Sequence, residues 1–422
     1  MLGQRRPEGE FTENLLERAL AYAQLPPLDR GLCHELVLGA VRWQATLDWL
    51  IERKTPGRTQ KAALQDLLRL GLYQIFWLDR IPDHAAVNET VELAKRNGHG
   101  AQAGFINAVL RGLLREADET KKLLAELKGQ QPALGHSHPD WLFERWKKRW
   151  GAERATQLMT WNNTPPKIFA RLNTLRADAT KLIEQWRTER VDYDFKTWDW
   201  TGESVVFELK SHPPLATLKS FRDGWFYLQD PSTLLAVREL DPQPGEVILD
   251  LCAAPGGKTT FIAQLVQNQS RIVAGDVFED RLKLIRENCA RLGVTCVTPT
   301  LVGDKVGLLA HAQLFDKVLV DAPCSNTGVM RRRADLRWRI RPEEITRLGA
   351  TQLALLRQVA PRLKPDGVLV YSTCSLEPEE NGGVVQQFLA EHVEFKLDYE
   401  RELLPMVDGG VDGAFVSRLR RA

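Results

Sequence analysis

Two short runs place a sulfur where an apolar stretch ends: Asp321-Ala322-Pro323-Cys324-Ser325 after residues 315–320, and Ser372-Thr373-Cys374-Ser375 after residues 367–371. A free thiol has a pKa of about 8.5 and is only slightly ionised near neutrality, so chemistry at either sulfur needs surroundings that control its proton. Lys258 is the nearest candidate cation in the pattern. A single buried cysteine is ordinarily a packing residue. Two of them, each closing an apolar run in the same part of the chain, read instead as thiols flanking one cleft.

A third run supplies the other half of such a cleft. Val247-Ile248-Leu249-Asp250-Leu251-Cys252-Ala253-Ala254-Pro255-Gly256-Gly257-Lys258-Thr259-Thr260 reads as strand, tight loop and helix. Gly256 and Gly257 open backbone angles closed to other residues, so the amides of Cys252, Ala253, Ala254, Pro255-flanked Gly256 and Gly257 can line a ligand, with Lys258 behind them. A phosphate loop of the GxxxxGK type needs glycine where Cys252 stands, and the dinucleotide fingerprint needs a glycine spacing that this loop lacks. The guest is therefore expected to be a nucleoside without a polyphosphate. Asp276, ending the apolar run 271–276, is placed to accept both hydroxyls of a ribose, and Asp304, after the run 295–302, to meet the amino edge of an adenine. S-adenosylmethionine has that ribose, that adenine and an amino-acid tail. Either aspartate alone would more often be a cap or turn residue.

These residues need a scaffold that brings strand ends together. From Asp230 onward strands and helices alternate: the apolar run that opens 247–260 and ends in Asp250, then strands at 271–276, 295–302, 315–321 and 367–374, with helices at 279–292 and 343–363. Such alternation predicts a Rossmann-like, mostly parallel, doubly wound α/β sheet, whose strand ends share the ligand-binding edge. Upstream, apolar residues recur at three and four from residue 11 to about 128, predicting an all-α domain punctuated at Pro56-Gly57, Ile81-Pro82-Asp83 and Asn97-Gly98. Its histidines, His34, His84 and His99, lie far apart and are read as surface or capping groups. Residues 129–135 are read as a break. The segment 138–150 mixes tryptophans with Lys and Arg, which suits either RNA contact or an amphipathic helix with its indoles packed inward. A small α/β module follows, with strands at 168–173 and 205–209 around a helix at 181–189. The expected domains are 1–128, 136–229 and 230–422.

Composition bounds these readings. The chain has 422 residues, 43% hydrophobic and 27% charged, with a formal net charge of +2, so local clusters rather than overall charge must attract any nucleic acid. No apolar run approaches the roughly 20 residues of a membrane span. The N-terminus does not read as a secretory signal. Six scattered cysteines show no paired metal-ligand spacing, so no metal site and a reducing cytoplasm are expected.

Together the motifs resemble the RNA 5-methylcytosine methyltransferases, in particular the bacterial Fmu/Sun (RsmB-like) type that modifies small-subunit (16S) ribosomal RNA. The loop 252–258, Asp276, the Asp321–Ser325 and Ser372–Ser375 segments and Pro378-Glu379-Glu380-Asn381 carry the resemblance. The helical region resembles a NusB-like RNA-binding domain through Arg30-Gly31-Leu32, residues 70–82 and Gly104-Phe105-Ile106-Asn107-Ala108-Val109-Leu110-Arg111. The resemblance implies that Cys374 adds to carbon 6 of a cytosine, that Asp321 holds the base while lying near the cofactor, and that Cys324 helps remove the carbon-5 proton. It implies small-subunit ribosomal RNA as partner; no membrane partner and a monomer are expected besides. Arg331-Arg332-Arg333 and Arg337-Trp338-Arg339-Ile340-Arg341 follow the Cys324 loop and are expected either to grip phosphates or to form a solvated basic loop. Asn326 stands where the family usually has glycine, Ala414 replaces a customary aromatic, and the N-terminus is short for the family's first helix. Two other readings stand beside the enzyme: a NusB-like RNA scaffold that binds the cofactor without turnover, and a DNA cytosine methyltransferase, whose nucleophile would sit in the Pro-Cys motif.

Overall fold

The computed structural model describes residues 11–23, 25–202, 205–302 and 314–422. Two compact units emerge. One comprises the chain up to Pro165 together with Met330–Arg339, and the other comprises Pro166–Val329 and Ile340–Ala422.

The first unit is helical. Helices Pro27–Arg42, Gln44–Lys54, Ala62–Trp77, Asp83–Arg96 and Ala103–Arg115 bury Leu47, Leu50, Leu68, Leu72, Ala86, Val87, Ile106 and Leu110, the residues whose three-and-four spacing marks one face of each helix. Pro27 occupies a first-turn position that needs no amide donor, and the turns at Gly57 and Gly98 adopt positive φ. The stretch 129–135, expected as a break, holds the end of helix Ala117–Gln130 and a further helical turn, Pro132–Gly135. Asp140–Asn162 follows and bends at Gly151, where φ is 85° and ψ 164°. Of its aromatic residues Phe143 and Trp146 are buried, whereas Lys147, Lys148 and Arg149 stay exposed. Packing thus accounts for Trp146, and the bases remain on the outer face.

The segment Met330–Arg339 belongs to this helical unit, and its arginines are not a loose basic loop. Arg337 is fully buried and donates to Ser137 O (3.2 Å), Asn162 O (3.1 Å) and Asn163 Oδ1 (2.7 Å). Arg331 is buried over the Trp161 ring at 4.1 Å, and Arg333 and Arg339 lie over Phe11 at 4.4 and 4.8 Å. For Arg331 and Arg337 the expected phosphate grip gives way to structural bonding, because a guanidinium withdrawn from water needs fixed acceptors or an aromatic face.

The second unit contains two sheets. The smaller is antiparallel, with β1 (Ile168–Leu172), β2 (Asp192–Lys196), β3 (Val206–Ser211) and β4 (Phe226–Leu228) in the order β2-β3-β1-β4. Trp186, from helix Ala179–Glu189, fills its covered face against Tyr193, Phe207 and Phe226 at ring distances of 5.2, 5.1 and 5.3 Å. The larger sheet contains β5 (Val247–Leu251), β6 (Arg271–Asp276), β7 (Val297–Leu301), β8 (Phe315–Asp321), β9 (Leu363–Thr373), β10 (Phe395–Leu403) and β11 (Ala414–Arg421). Its order is β10-β11-β9-β8-β5-β6-β7. Strands β5 to β9 are parallel, while β11 pairs antiparallel with both β9 and β10. Strand order reverses between β5 and β8, the place where parallel sheets open a crevice at their carboxyl ends. The helix expected to reach residue 363 ends at Val359, since Pro361 has no amide to continue it; a short 3₁₀ turn follows and β9 begins at Leu363.

Replacing Arg337 by Ala leaves buried carbonyls at Ser137 and Asn162 without their donor, and should destabilise the helical unit by about 2–4 kcal/mol. A urea titration followed by helical circular dichroism measures this; an unchanged midpoint would show that the buried bonds contribute nothing net.

Candidate active site

Four strand ends converge on the crevice. β5 leads into the loop 252–257, β6 ends in Asp276, β8 ends in Asp321 with Cys324 just beyond, and β9 ends immediately before Cys374. The first turn is tight: Cys252 takes φ 62°, Gly256 takes φ 100°, and helix Gly257–Leu265 starts there. A Cβ on Gly257 would come within 3.1 Å of the Tyr227 ring, so the loop lies close against β4. Arg171, buried on β1, anchors it by donating to Gly257 O (2.8 Å), Gln229 Oε1 (2.7 Å) and Thr260 Oγ1 (3.2 Å).

Three carboxylates surround this loop. Asp276 accepts from the amides of Ala254 (3.2 Å) and Val277 (2.8 Å), with Arg281 at 3.5 Å. Asp250 is fully buried, accepts from Thr259 Oγ1 at 2.5 Å, and leaves Oδ1 without a protein partner; burial pushes its carboxyl up to about 7. Asp321 accepts from Lys258 Nζ (2.6 Å) and Ser372 Oγ (2.9 Å). Burial works against the Lys258 ammonium, but the adjacent Asp321 carboxylate prevails and holds it above the ordinary lysine range. Burial, then the charges of Asp321, Asp276 and Asp250, push the Cys252 thiol up to about 12, so this sulfur is no nucleophile. An acid-lined loop whose lysine is already paired disfavours phosphate. Hydroxyls, an amine and a sulfonium suit it, so these residues fit the expected nucleoside cofactor. Asp304 lies outside the described residues.

The two motif cysteines meet. Cys324 Sγ and Cys374 Sγ are 3.2 Å apart, both as free thiols. The Cys374 contact, followed by burial, holds Cys324 well above the ordinary thiol range. Glu380 fastens the two loops together. Fully buried, it accepts from Ser325 N (2.8 Å), Ser325 Oγ, Ser375 Oγ (2.5 Å) and Gln352 Nε2 (3.0 Å). Burial raises its pKa, and those donors act in the opposite direction. Asn381 braces the Cys374 loop alone, accepting from Thr373 Oγ1 (2.6 Å) and donating to Ser375 O (2.9 Å). Gly328 donates to Cys374 O at 2.9 Å, and a Cβ there would lie 2.7 Å from that same oxygen.

The structure thus brings Lys258, Asp321, Cys324 and Cys374 into one neighbourhood, although Lys258 pairs with Asp321 rather than with a sulfur. Glu380 and Asn381 were visible in sequence only as part of a motif, with no role attached. Arg171 carried a fainter signal, a charge in the middle of the apolar strand Ile168-Phe169-Ala170-Arg171-Leu172.

Residues 237–407 match the family described as 16S rRNA methyltransferase RsmB/F, residues 3–115 the NusB family, and residues 138–208 an RsmF/B-like ferredoxin-like domain. The last match spans the boundary between the two compact units at Pro165. A probable ribosomal RNA small subunit methyltransferase B of Bacillus subtilis is 35% identical over 97% of this chain and 95% of its own length. Among solved structures, a methyltransferase homologue from Pyrococcus horikoshii is 31% identical, covering 69% of this chain and 97% of its own, with a TM-score of 0.60. NSun6 from Pyrococcus horikoshii with SFG is 25% identical over 67% of this chain and 98% of its own, with a TM-score of 0.58.

Asp250 also fixes a pH dependence. Its folded pKa of about 7 lies above the ordinary 3.8, so its contribution to stability is complete below about pH 4 and is lost as pH rises towards 7. Asp250→Asn should remove that slope, worth on the order of 3–4 kcal/mol, from urea midpoints measured between pH 4 and 8. Parallel pH profiles in the two proteins would refute the assignment.

Proposed function

The chain belongs to the RsmB/F family of 16S rRNA methyltransferases, and from that premise we propose that it methylates carbon 5 of a cytosine in small-subunit ribosomal RNA through a covalent cysteine adduct. The observation that carries this reading is the pair of free sulfurs, 3.2 Å apart, on the loops after β8 and β9. Carbon 5 of cytosine is too weak a nucleophile to react unaided, and addition of a thiolate at carbon 6 makes it an enamine-like one. S-adenosylmethionine, when bound, supplies the electrophilic methyl group; the loop 252–258, Asp276 and Asp321 would hold it, with Asp304 as a further candidate.

Cys374 is the nucleophile that bonds to carbon 6. Asp321, steadied by Lys258 and Ser372, binds the N3 and amino edge of the base and favours the charge that builds there. The target must leave its stack for carbon 6 to come within bonding distance of a half-buried sulfur. Cys324 then takes the proton from carbon 5, and the electrons of that C–H bond restore the ring double bond as Cys374 departs as thiolate. The timing has a physical basis. Contact with Cys374 is the first cause of the high Cys324 pKa. Once Cys374 carries a carbon substituent it no longer imposes that contact as thiol or thiolate, so Cys324 can ionise after the adduct forms and serve as base.

The helical unit and its NusB match support a role in holding RNA. We propose the three-domain division at 1–128, 136–229 and 230–422 as the functional division.

Cys374→Ala should abolish transfer of tritium from labelled S-adenosylmethionine to small-subunit RNA. Cys324→Ala should instead accumulate a protein–RNA adduct that survives denaturing electrophoresis. Label in the first variant would assign the nucleophile elsewhere. An adduct dependent on Cys324 would support the DNA-enzyme arrangement.

A further inference from the structure

The contact between the two thiols does not by itself say which one gives up a proton. Asn326 does. It sits on the turn between Cys324 and Gly328 with φ 61°, a left-handed conformation that asparagine tolerates better than most residues. Its Nδ2 lies 2.8 Å from Cys324 O, and its Oδ1 lies 3.1 Å from Cys374 Sγ. The carbonyl of Cys324 can only accept, which fixes the amide group facing it and leaves the oxygen for the thiol. The Cys374 S–H is thereby committed to Asn326. With that proton pointed away, the 3.2 Å sulfur contact is made by the Cys324 S–H donating to Cys374 Sγ.

We propose that Asn326 is a positioning residue that sets the direction of the hydrogen-bond chain from Cys324 to Cys374 to Asn326, and so holds the Cys374 proton in place at rest. In that order the Cys374 sulfur accepts a hydrogen bond from Cys324, whereas the Cys324 sulfur accepts none from Cys374. The carboxamide oxygen meanwhile favours the Cys374 thiol at rest, because a thiolate facing that oxygen has no proton to donate. The other titratable groups facing the sulfurs are Lys258 with its partner Asp321, Glu380 behind the Cys324 turn, and the buried Tyr371 phenol. None of them makes a hydrogen bond to Cys374 that the structure records, so Asn326 and Cys324 decide its proton. The inference rests on the reading of Cys374 as nucleophile and adds the residue that holds it in reserve.

The test is the pH dependence of iodoacetamide alkylation in the full-length, unliganded protein, with Cys374 and Cys324 followed separately by peptide mass spectrometry. Asn326→Gly preserves the left-handed turn and removes only the carboxamide. It should lower the Cys374 midpoint by about 0.4–1 pH unit, the loss of one hydrogen bond to the thiol. Asn326→Asp keeps the shape, replaces a neutral acceptor by an anion, and should raise the midpoint. Easier access to the sulfur would change the plateau rate but leave the midpoint in place. A Cys374 midpoint unmoved in Asn326→Gly, or lowered in Asn326→Asp, overturns the proposal, as does wild-type alkylation that reaches Cys324 first. Because alkylation needs neither RNA nor methyl donor, the result stands apart from success or failure of the methyl-transfer assay.

Discussion

A buried carboxylate is costly unless donors replace the water it loses, and that constraint organises the candidate active site of this protein. Glu380 is fully buried, and the donors that meet it come from the Cys324 loop, the Cys374 loop and helix Pro342–Val359. Any separation of the two cysteine loops would strand that carboxylate. The sulfurs are therefore held in contact by a polar knot a residue away from each, not by a disulfide. Burial of the knot excludes water from the same place, which strengthens each of its hydrogen bonds.

The cofactor side obeys a different electrostatic rule. Asp250, Asp276 and Asp321 stand at or near the ends of three neighbouring parallel strands, and Lys258 offsets one of them. A loop with this charge balance suits a ligand rich in hydroxyls and carrying positive charge. Arg171 reaches the same loop from the small sheet, so the antiparallel module contributes to the cofactor end of the second unit through one buried guanidinium. The chain passes from the Cys324 loop directly into Met330–Arg339, whose arginines complete the helical unit. One continuous segment thus carries a candidate catalytic residue at its start and structural arginines at its end.

Much of this was legible in the sequence because it rests on local pattern. Apolar runs located β6 and β8 to the residue, since strands buried on both faces are short and largely apolar. Strand β2 was missed: Tyr193 and Phe195 alternate with Asp192, Asp194 and Lys196, a period-two signal diluted by charge at an exposed edge. The three-residue β4 is too short to carry a period. Strands β10 and β11 lie beyond the alternation read from Asp230 to residue 374, because antiparallel pairing at a sheet edge depends on a partner distant in sequence.

The sequence by itself determined which chemical groups are present and that strand ends must gather them, because the glycine loop, the acids and the cysteines each close an apolar run. Only the tertiary structure decided what those groups do to one another. Lys258 met Asp321 instead of a thiol, Arg337 was buried among carbonyls instead of facing phosphate, and Asn326 met Cys374. The physical reason is range: strand and helix follow from neighbours a few residues apart, whereas a hydrogen bond or ion pair depends on distances of about 3 Å that chain folding alone sets.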